Sequence, residues 1–267
     1  ELKRNAGTDL GQIIRTVKGF DINPLAVQTA KTNYILSVLD LLSLDSEFHI
    51  PIYYNDVLKL NCPVDSSQSK NEFVNNVLDS KRRDLNIVEE LDRVDLVAGN
   101  PPWVNWEYMP EEYRKSIQKY WYTYKVFDHK GLTARLGSAH DDLSVLMTYV
   151  VMDNYLKDGG KLGFVINQNL FQSSGGGQGF RKLMIKENIP IGIEKVHDFV
   201  KVNPFEDLGA SNKTAIFTAI KNKETKFPID YVVWNKKNKG KIYSNIPLEN
   251  VLNDFIKKID LKARPLK

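Results

Sequence analysis

One cysteine, Cys62, occurs among 267 residues. No internal disulfide can form, and the composition suits a reducing compartment. No apolar run approaches the roughly 20 residues that span a bilayer. The richest, Leu143 to Leu156, is interrupted by Ser144, Thr148, Asp153 and Asn154. The opening Glu1-Leu2-Lys3-Arg4 lacks the apolar core of a secretion signal, so a cytoplasmic location and no membrane contact are expected. Histidine is scarce, and His129 and His140 have no Cys, His or Asp partners at ligand spacing, so no metal site is expected. The excess of positive charge is small, +4; it is compatible with nucleic acid but does not argue for it. The glycine-rich Ser173-Ser174-Gly175-Gly176-Gly177-Gln178-Gly179 lacks the Gly-Lys-Ser/Thr of a phosphate-binding loop, which excludes that reading.

With 42% apolar and 10% aromatic residues, the chain can build one large globular domain, or one domain and a small appendage. Its most informative stretch is Val94-Asp95-Leu96-Val97-Ala98-Gly99-Asn100-Pro101-Pro102-Trp103. An apolar run of strand length stops at a glycine, and two prolines follow. They can neither donate to a sheet ladder nor continue as helix, so the chain leaves as a stiff extended loop. The Asn100 amide oxygen and the Pro101 carbonyl become fixed acceptors beside the indole face of Trp103. Such a corner at the carboxyl end of a strand suits a flat ring with an exocyclic amino group, such as adenine. A plain proline turn beside a buried Trp is the competing interpretation.

The rest of the chain has an alternating rhythm. The start reads as a helix end (Glu1 to Asn5, Ile13, Ile14) leading into a strand from Arg15 to Ile22. Pro24 opens a helix through Leu42 with apolar residues at Leu25, Val27, Ala30, Ile35, Val38 and Leu39. A strand at Phe48 to Tyr54 ends in Asn55-Asp56-Val57, and Asn61 to Glu90 reads as loop and surface helix. Val104 to Asp141 is too long for a plain loop; most of its rings are expected to pack together, with a lid over the site as the functional alternative. Asp141-Asp142 cap a helix to Leu156, Gly159-Gly160 end it, and Lys161 to Ile166 is the next strand. A helix is expected at Phe180 to Glu187, β segments at Gly192 to Val200, Asn212 to Ile220 and Ile229 to Trp234, an exposed turn at Asn235 to Lys241, and one helix in the tail. Asp21 ends a strand, where an acid in a doubly wound fold typically holds ribose hydroxyls; capping of the next helix is its bland role. For Asp56 the bland role is an Asx-turn.

Asn-Pro-Pro-Trp after Asp-Leu-Val-Ala-Gly, with the acid at Asp21 upstream, resembles the adenine-N6 DNA methyltransferases of restriction–modification systems, which use S-adenosylmethionine. The resemblance spans Arg15 to about Trp234 and is specific around Asp21 and Asn100. It implies an α/β, Rossmann-like class I methyltransferase sheet with a reversed terminal hairpin. It assigns catalysis to Asn100, Pro101, Pro102 and Trp103, cofactor binding to Asp21, Ile22, Asp56 and Val57, and stacking on the flipped base to Trp103 and Phe205. DNA is the implied partner, with a restriction or specificity subunit or domain; Arg181 and Lys182 are candidates beside the phosphates.

Residues 1–234 are expected to form the catalytic core, with 104–140 as a helical aromatic insertion and 235–267 as an extension toward a recognition domain. The family's glycine-rich first strand has no counterpart before Gly19. The chain therefore reads as a fragment beginning inside the first helix, or as one whose first strand another chain supplies. Two rival functions remain at this level: methylation of an RNA base or a protein glutamine, whose enzymes usually carry Tyr or Phe at the Trp103 position, and a non-catalytic DNA-binding subunit of a defence complex.

Overall fold

The computed structural model describes residues 7–42, 48–59, 93–126, 142–172, 178–206, 213–243 and 245–264. The surface helix expected within 61–90 and the stretch 128–140, with both of its histidines, lie outside them. The chain divides into two compact units, residues 1–91 and 92–267.

In the first unit, helix α1 (Leu10–Thr16) is capped by Asp9, whose carboxylate accepts from the Gln12 amide at 2.9 Å. The helix therefore continues through Arg15, and strand β1 is shorter than expected, Gly19–Asp21. Helix α2 (Pro24–Val38) starts with proline in its first turn, where no amide partner is lost. Its cap is Asn23, whose side chain accepts from the Leu25 amide at 2.9 Å. Asp21 is thus not the helix cap. Strand β2 (Ile52–Tyr54) lies parallel to β1, with Asp21 opposite Tyr54.

The second unit is a mixed sheet in the order β3 (Val94–Gly99), β4 (Leu156–Asn167), β7 (Thr214–Lys221), β6 (Ile189–Lys201), β8 (Ile229–Lys236), β9 (Ile256–Ala263). Strand β3 (Val94–Gly99) pairs in parallel with β4 (Leu156–Asn167). Helix α3 (Glu111–Thr123) and helix α4 (Leu143–Tyr155) lie between them in sequence. Helix α4 buries nearly every residue from Leu143 to Asp153, which requires protein on all its sides. No glycine turn separates it from β4: Leu156 is already extended, and the irregular register between Val94 and Leu96 absorbs the Gly159–Gly160 region. Short helices at Asn169–Gln172 and Gln178–Arg181 follow.

The helix expected at Phe180 to Glu187 stops at Arg181. Leu183, Lys186 and Glu187 have φ of 49°, 46° and 67°, which breaks helical geometry and leaves room only for β5 (Met184–Ile185). Strand β6 (Ile189–Lys201) and strand β7 (Thr214–Lys221) pair antiparallel, and β7 also runs antiparallel to β4. Strand β8 (Ile229–Lys236) lies parallel to β6 and includes Asn235 and Lys236, expected in a turn. The tail is a short helical segment followed by strand β9 (Ile256–Ala263), antiparallel to β8, rather than one helix.

Part of the core is an aromatic cluster. Phe171, Phe180 and Phe217 meet edge to face at centroid distances of 5.4 to 6.0 Å. Ile117 and Trp121 of α3 are fully buried, and Trp121 meets Trp106 edge-on at 5.6 Å. Trp106, Trp121 and Tyr124 therefore belong to the core, whereas Tyr108 and Tyr122 are exposed. Such edge-to-face pairs add to the burial of large apolar surfaces.

Candidate active site

Strand β3 delivers the chain to Asn100. The loop beyond it is tied to the start of α4: the Leu143 amide donates to the Val104 carbonyl at 2.9 Å, and Asn105 and Asp142 form an antiparallel bridge. Asp142 is buried and caps α4 by accepting from the Ser144 amide at 2.8 Å. Burial pushes its carboxyl above the usual range, an effect that the Ser144 hydrogen bonds oppose. The diproline corner is thus held at both ends by backbone bonds.

Within the corner Asn100 is exposed, Pro101 buried, Pro102 exposed and Trp103 half-buried. Among the described residues, no hydrogen bond engages the Asn100 carboxamide and no backbone amide reaches the Pro101 carbonyl. The Trp103 indole N–H donates to the Val165 carbonyl of β4 at 3.1 Å. That bond fixes the ring plane against the sheet's carboxyl end.

Phe205 meets Trp103 edge to face, with centroids 5.7 Å apart and planes at 82°. The structure therefore brings these two residues together, but not as parallel plates. A base between two faces, each at about 3.5 Å contact distance, needs about 7 Å of separation. The loop that carries Phe205 leaves β6 at Lys201 and turns through Asn203, which has φ of 49°. Beyond Phe205 the Lys236 ammonium binds the Glu206 carboxylate at 2.5 Å.

In the other unit, Asp21 ends β1 and Asp56 lies two residues past the parallel neighbour β2. Asp21 is exposed and accepts from the Asn23 amide at 2.7 Å through one oxygen. Ile22 beside it is 57% exposed. Asp56 accepts from the Leu58 amide at 3.0 Å through Oδ1. Among the described residues its Oδ2 is buried without a hydrogen bond, and the Lys59 ammonium lies 3.8 Å away. Val57 is half-buried. An orphaned carboxylate oxygen beside a strand end can accept a ligand's amino group, and buried acceptors are rarely left unsatisfied. The carboxylate acceptors Asp21 and Asp56 on this unit are chemically suited to the hydroxyl and amino groups of an adenosine-bearing cofactor.

Arg181 and Lys182 are partly committed: the guanidinium donates to the Leu170 carbonyl and the ammonium to the Lys125 carbonyl, each at 3.0 Å. Among the described residues no cluster of three or more His, Cys, Asp or Glu could hold a metal. No described helix is long and apolar enough to cross a membrane. Sequence reasoning missed a buried polar cluster formed by Gln168, Asp198 and Tyr231. Its only signal in the sequence is an acid inside the apolar strand Val196-His197-Asp198-Phe199-Val200.

The model of the Eco57I restriction-modification methylases matches residues 15–205. The chain belongs to this family. The match covers both Asp21 and the Asn100–Trp103 corner and ends at Phe205. No curated protein matches the chain. Similar solved folds include the Type ISP restriction-modification enzyme LlaGI, as a nuclease-deletion mutant with a DNA substrate mimic (16% identity, TM-score 0.56, 87% of this chain and 19% of that one). The ATP-dependent Type ISP restriction-modification enzyme LlaBIII bound to DNA matches at 13% identity and TM-score 0.55, over 87% of this chain and 16% of that one. The DrdV–DNA complex matches at 18% identity and TM-score 0.51, over 80% of this chain and 20% of that one. The family member described here thus corresponds to about a fifth or less of those chains.

Proposed function

We propose that this methylase module transfers a methyl group from S-adenosylmethionine to the N6 amino group of adenine in DNA, as part of a restriction–modification or phage-defence system. The observation that carries this reading is the corner itself. An exposed, unengaged Asn100 carboxamide and the Pro101 carbonyl follow a strand end, beside an indole hung from Val165.

The adenine amino nitrogen is a poor nucleophile because its lone pair is delocalised into the ring. Asn100 Oδ1 and the Pro101 oxygen accept its two hydrogens, which favours a pyramidal nitrogen with a localised lone pair. This is electrostatic preorganisation and requires no strong base. S-adenosylmethionine supplies the electrophilic methyl when bound. Asp21 would hold its ribose hydroxyls, and Asp56 Oδ2, with the neighbouring Ile22 and Val57, its adenine. The target base leaves the duplex at a cost of a few kcal/mol. Stacking on Trp103 and Phe205, about 1–3 kcal/mol per ring, offsets much of that. For the base to lie between the rings, Phe205 must part from its edge-on contact with Trp103.

Several finer features belong to the same proposal. The antiparallel insertion of β7 between β4 and β6 supports the reversed terminal hairpin of a class I methyltransferase. Among the described residues β3 is the end strand of its sheet, and its outer edge is assigned to a further strand such as the glycine-rich first one. Residues 1–234 serve as catalytic core and 235–267 as an extension toward a recognition domain. Arg181 and Lys182 line the DNA backbone, and a restriction or specificity subunit or domain completes the enzyme. The DNA-bound restriction-modification enzymes of similar fold support DNA over RNA or protein as substrate. The test is transfer of labelled methyl groups by the full-length protein to DNA, RNA and release factor. N6-methyladenine in DNA is the expected product; label only in RNA or in a glutamine would overturn the reading.

A further inference from the structure

Seven residues before Phe205, strand β6 carries an acid into the protein interior. Asp198 is 6% exposed and Gln168, just past the end of β4, is 4% exposed. Asp198 Oδ2 accepts from Gln168 Nε2 at 3.0 Å and from the Tyr231 hydroxyl at 2.7 Å. Its Oδ1 accepts from the Val200 amide at 2.9 Å. Gln168 Nε2 also donates to the Tyr231 hydroxyl at 3.3 Å. Among the described residues, no ion pair offsets the charge of Asp198. A carboxylate is costly to bury unless such hydrogen bonds hold it.

An apolar residue would be the cheaper choice here if the sheet needed only packing. On this face the positions in register are Val196 with Tyr231, and Asp198 with Val233. What the acid adds lies immediately after it. The pairing of β6 with β8 slips between Asp198 and Lys201, so the Val200 amide turns to the Asp198 side chain. Bulges of this kind re-aim a strand beside functional sites. The Phe199 carbonyl then accepts from the Val202 and Asn203 amides, both at 2.9 Å, and the chain turns to place Phe205 against Trp103. Strand β4 anchors the other ring, through the Val165 carbonyl three residues before Gln168.

We propose that Asp198, clamped by Gln168 and Tyr231, is a positioning residue that fixes the root of the Phe205 loop, and so sets where that ring meets Trp103 and the extruded base. This rests on the proposed role of Trp103 and Phe205 as base-contacting rings. Asp198 touches neither substrate nor cofactor; its action runs through Phe205.

A double-mutant cycle tests this, with DNA methylation by the full-length enzyme as readout. Phe205→Ala is expected to lower kcat/KM for DNA by about tenfold to a hundredfold. Asp198→Asn is expected to lower it by about fivefold, with KM for S-adenosylmethionine unchanged. The doubly substituted enzyme should then be no worse than Phe205→Ala alone. Multiplied losses in the double variant would overturn the inference while leaving the role of Phe205 standing. No loss in Phe205→Ala would overturn the base-contact reading, and the inference with it. Should Asp198→Asn fail to fold, Tyr231→Phe removes one hydroxyl from the same carboxylate and runs the same cycle. A smaller loss, absent in the Phe205→Ala background, supports the proposal, and a loss that persists there overturns it.

Discussion

Trp103 hangs by its indole N–H from the Val165 carbonyl, 3.1 Å away on the neighbouring strand. One ring thus has two separable properties, a face for stacking and a tether that sets its plane. Trp103→Phe keeps a face and removes the tether, whereas Trp103→Ala removes both. The alanine variant should lose about 1–3 kcal/mol of base capture, about fivefold to 150-fold in kcat/KM for DNA. The phenylalanine variant should lose distinctly less. Steady-state methylation of a duplex containing one target adenine checks the order; equal losses would place the importance in the tether.

Among the described residues the buried Oδ2 of Asp56 has no hydrogen-bond partner. Asp56→Ala in the full-length enzyme should weaken S-adenosylmethionine binding by about 1.5–3 kcal/mol, roughly tenfold or more. DNA affinity should stay unchanged. Calorimetric titration with the cofactor and anisotropy with labelled DNA measure the two separately.

Lys221 is fully buried and donates to the Asp153 and Leu156 carbonyls at 2.8 and 2.9 Å, closing the end of α4. Burial lowers its pKa, and the Arg93 charge adds to that. Lys221→Met keeps the volume and leaves two carbonyls unsatisfied. A loss of about 2–4 kcal/mol of stability is expected. Urea unfolding followed by far-UV circular dichroism checks it.

His197 is the pH-sensitive joint. Its Nδ1 accepts from the Trp234 indole N–H at 3.1 Å, which requires that nitrogen to be unprotonated. Burial first, then the Lys195 and Lys258 charges, lower its pKa, while Asp260 opposes them. A group with a depressed folded pKa contributes stability above its unfolded value, about 6.5, and that contribution is lost as pH falls. Tm should therefore drop on acidification below that value. His197→Phe should remove this component, as melting curves across the range will show.

Much of this architecture is legible in the chain because local rules and tertiary structure agree there. Strand β3 ends where Gly99 and the prolines demand it, α2 starts at Pro24, and α4 starts after Asp142. The reading fails where backbone geometry overrides spacing. Phe180 to Glu187 has helical periodicity, but three residues with positive φ turn it aside. In the tail, Phe255, Ile256 and Ile259 suit a helix, yet pairing with β8 takes Ile256–Ala263 as a strand. The acid at Asp198 is visible in the sequence, but its partners are not, because only the sheet order brings β6, β8 and the residue just past β4 together. Trp103 and Phe205 were expected on opposite faces of a base; their edge-on contact depends on a loop conformation that spacing does not encode.

The most direct measurement is methyl transfer to adenine by Asn100→Ala in the full-length enzyme, taken beside cofactor affinity. Loss of an acceptor that acts only as the amino nitrogen changes shape should reduce kcat by about 100-fold to 1,000-fold. S-adenosylmethionine affinity should remain near the wild-type value. Parallel loss of both would contradict the assignment and make Asn100 a holder of the fold or of the cofactor.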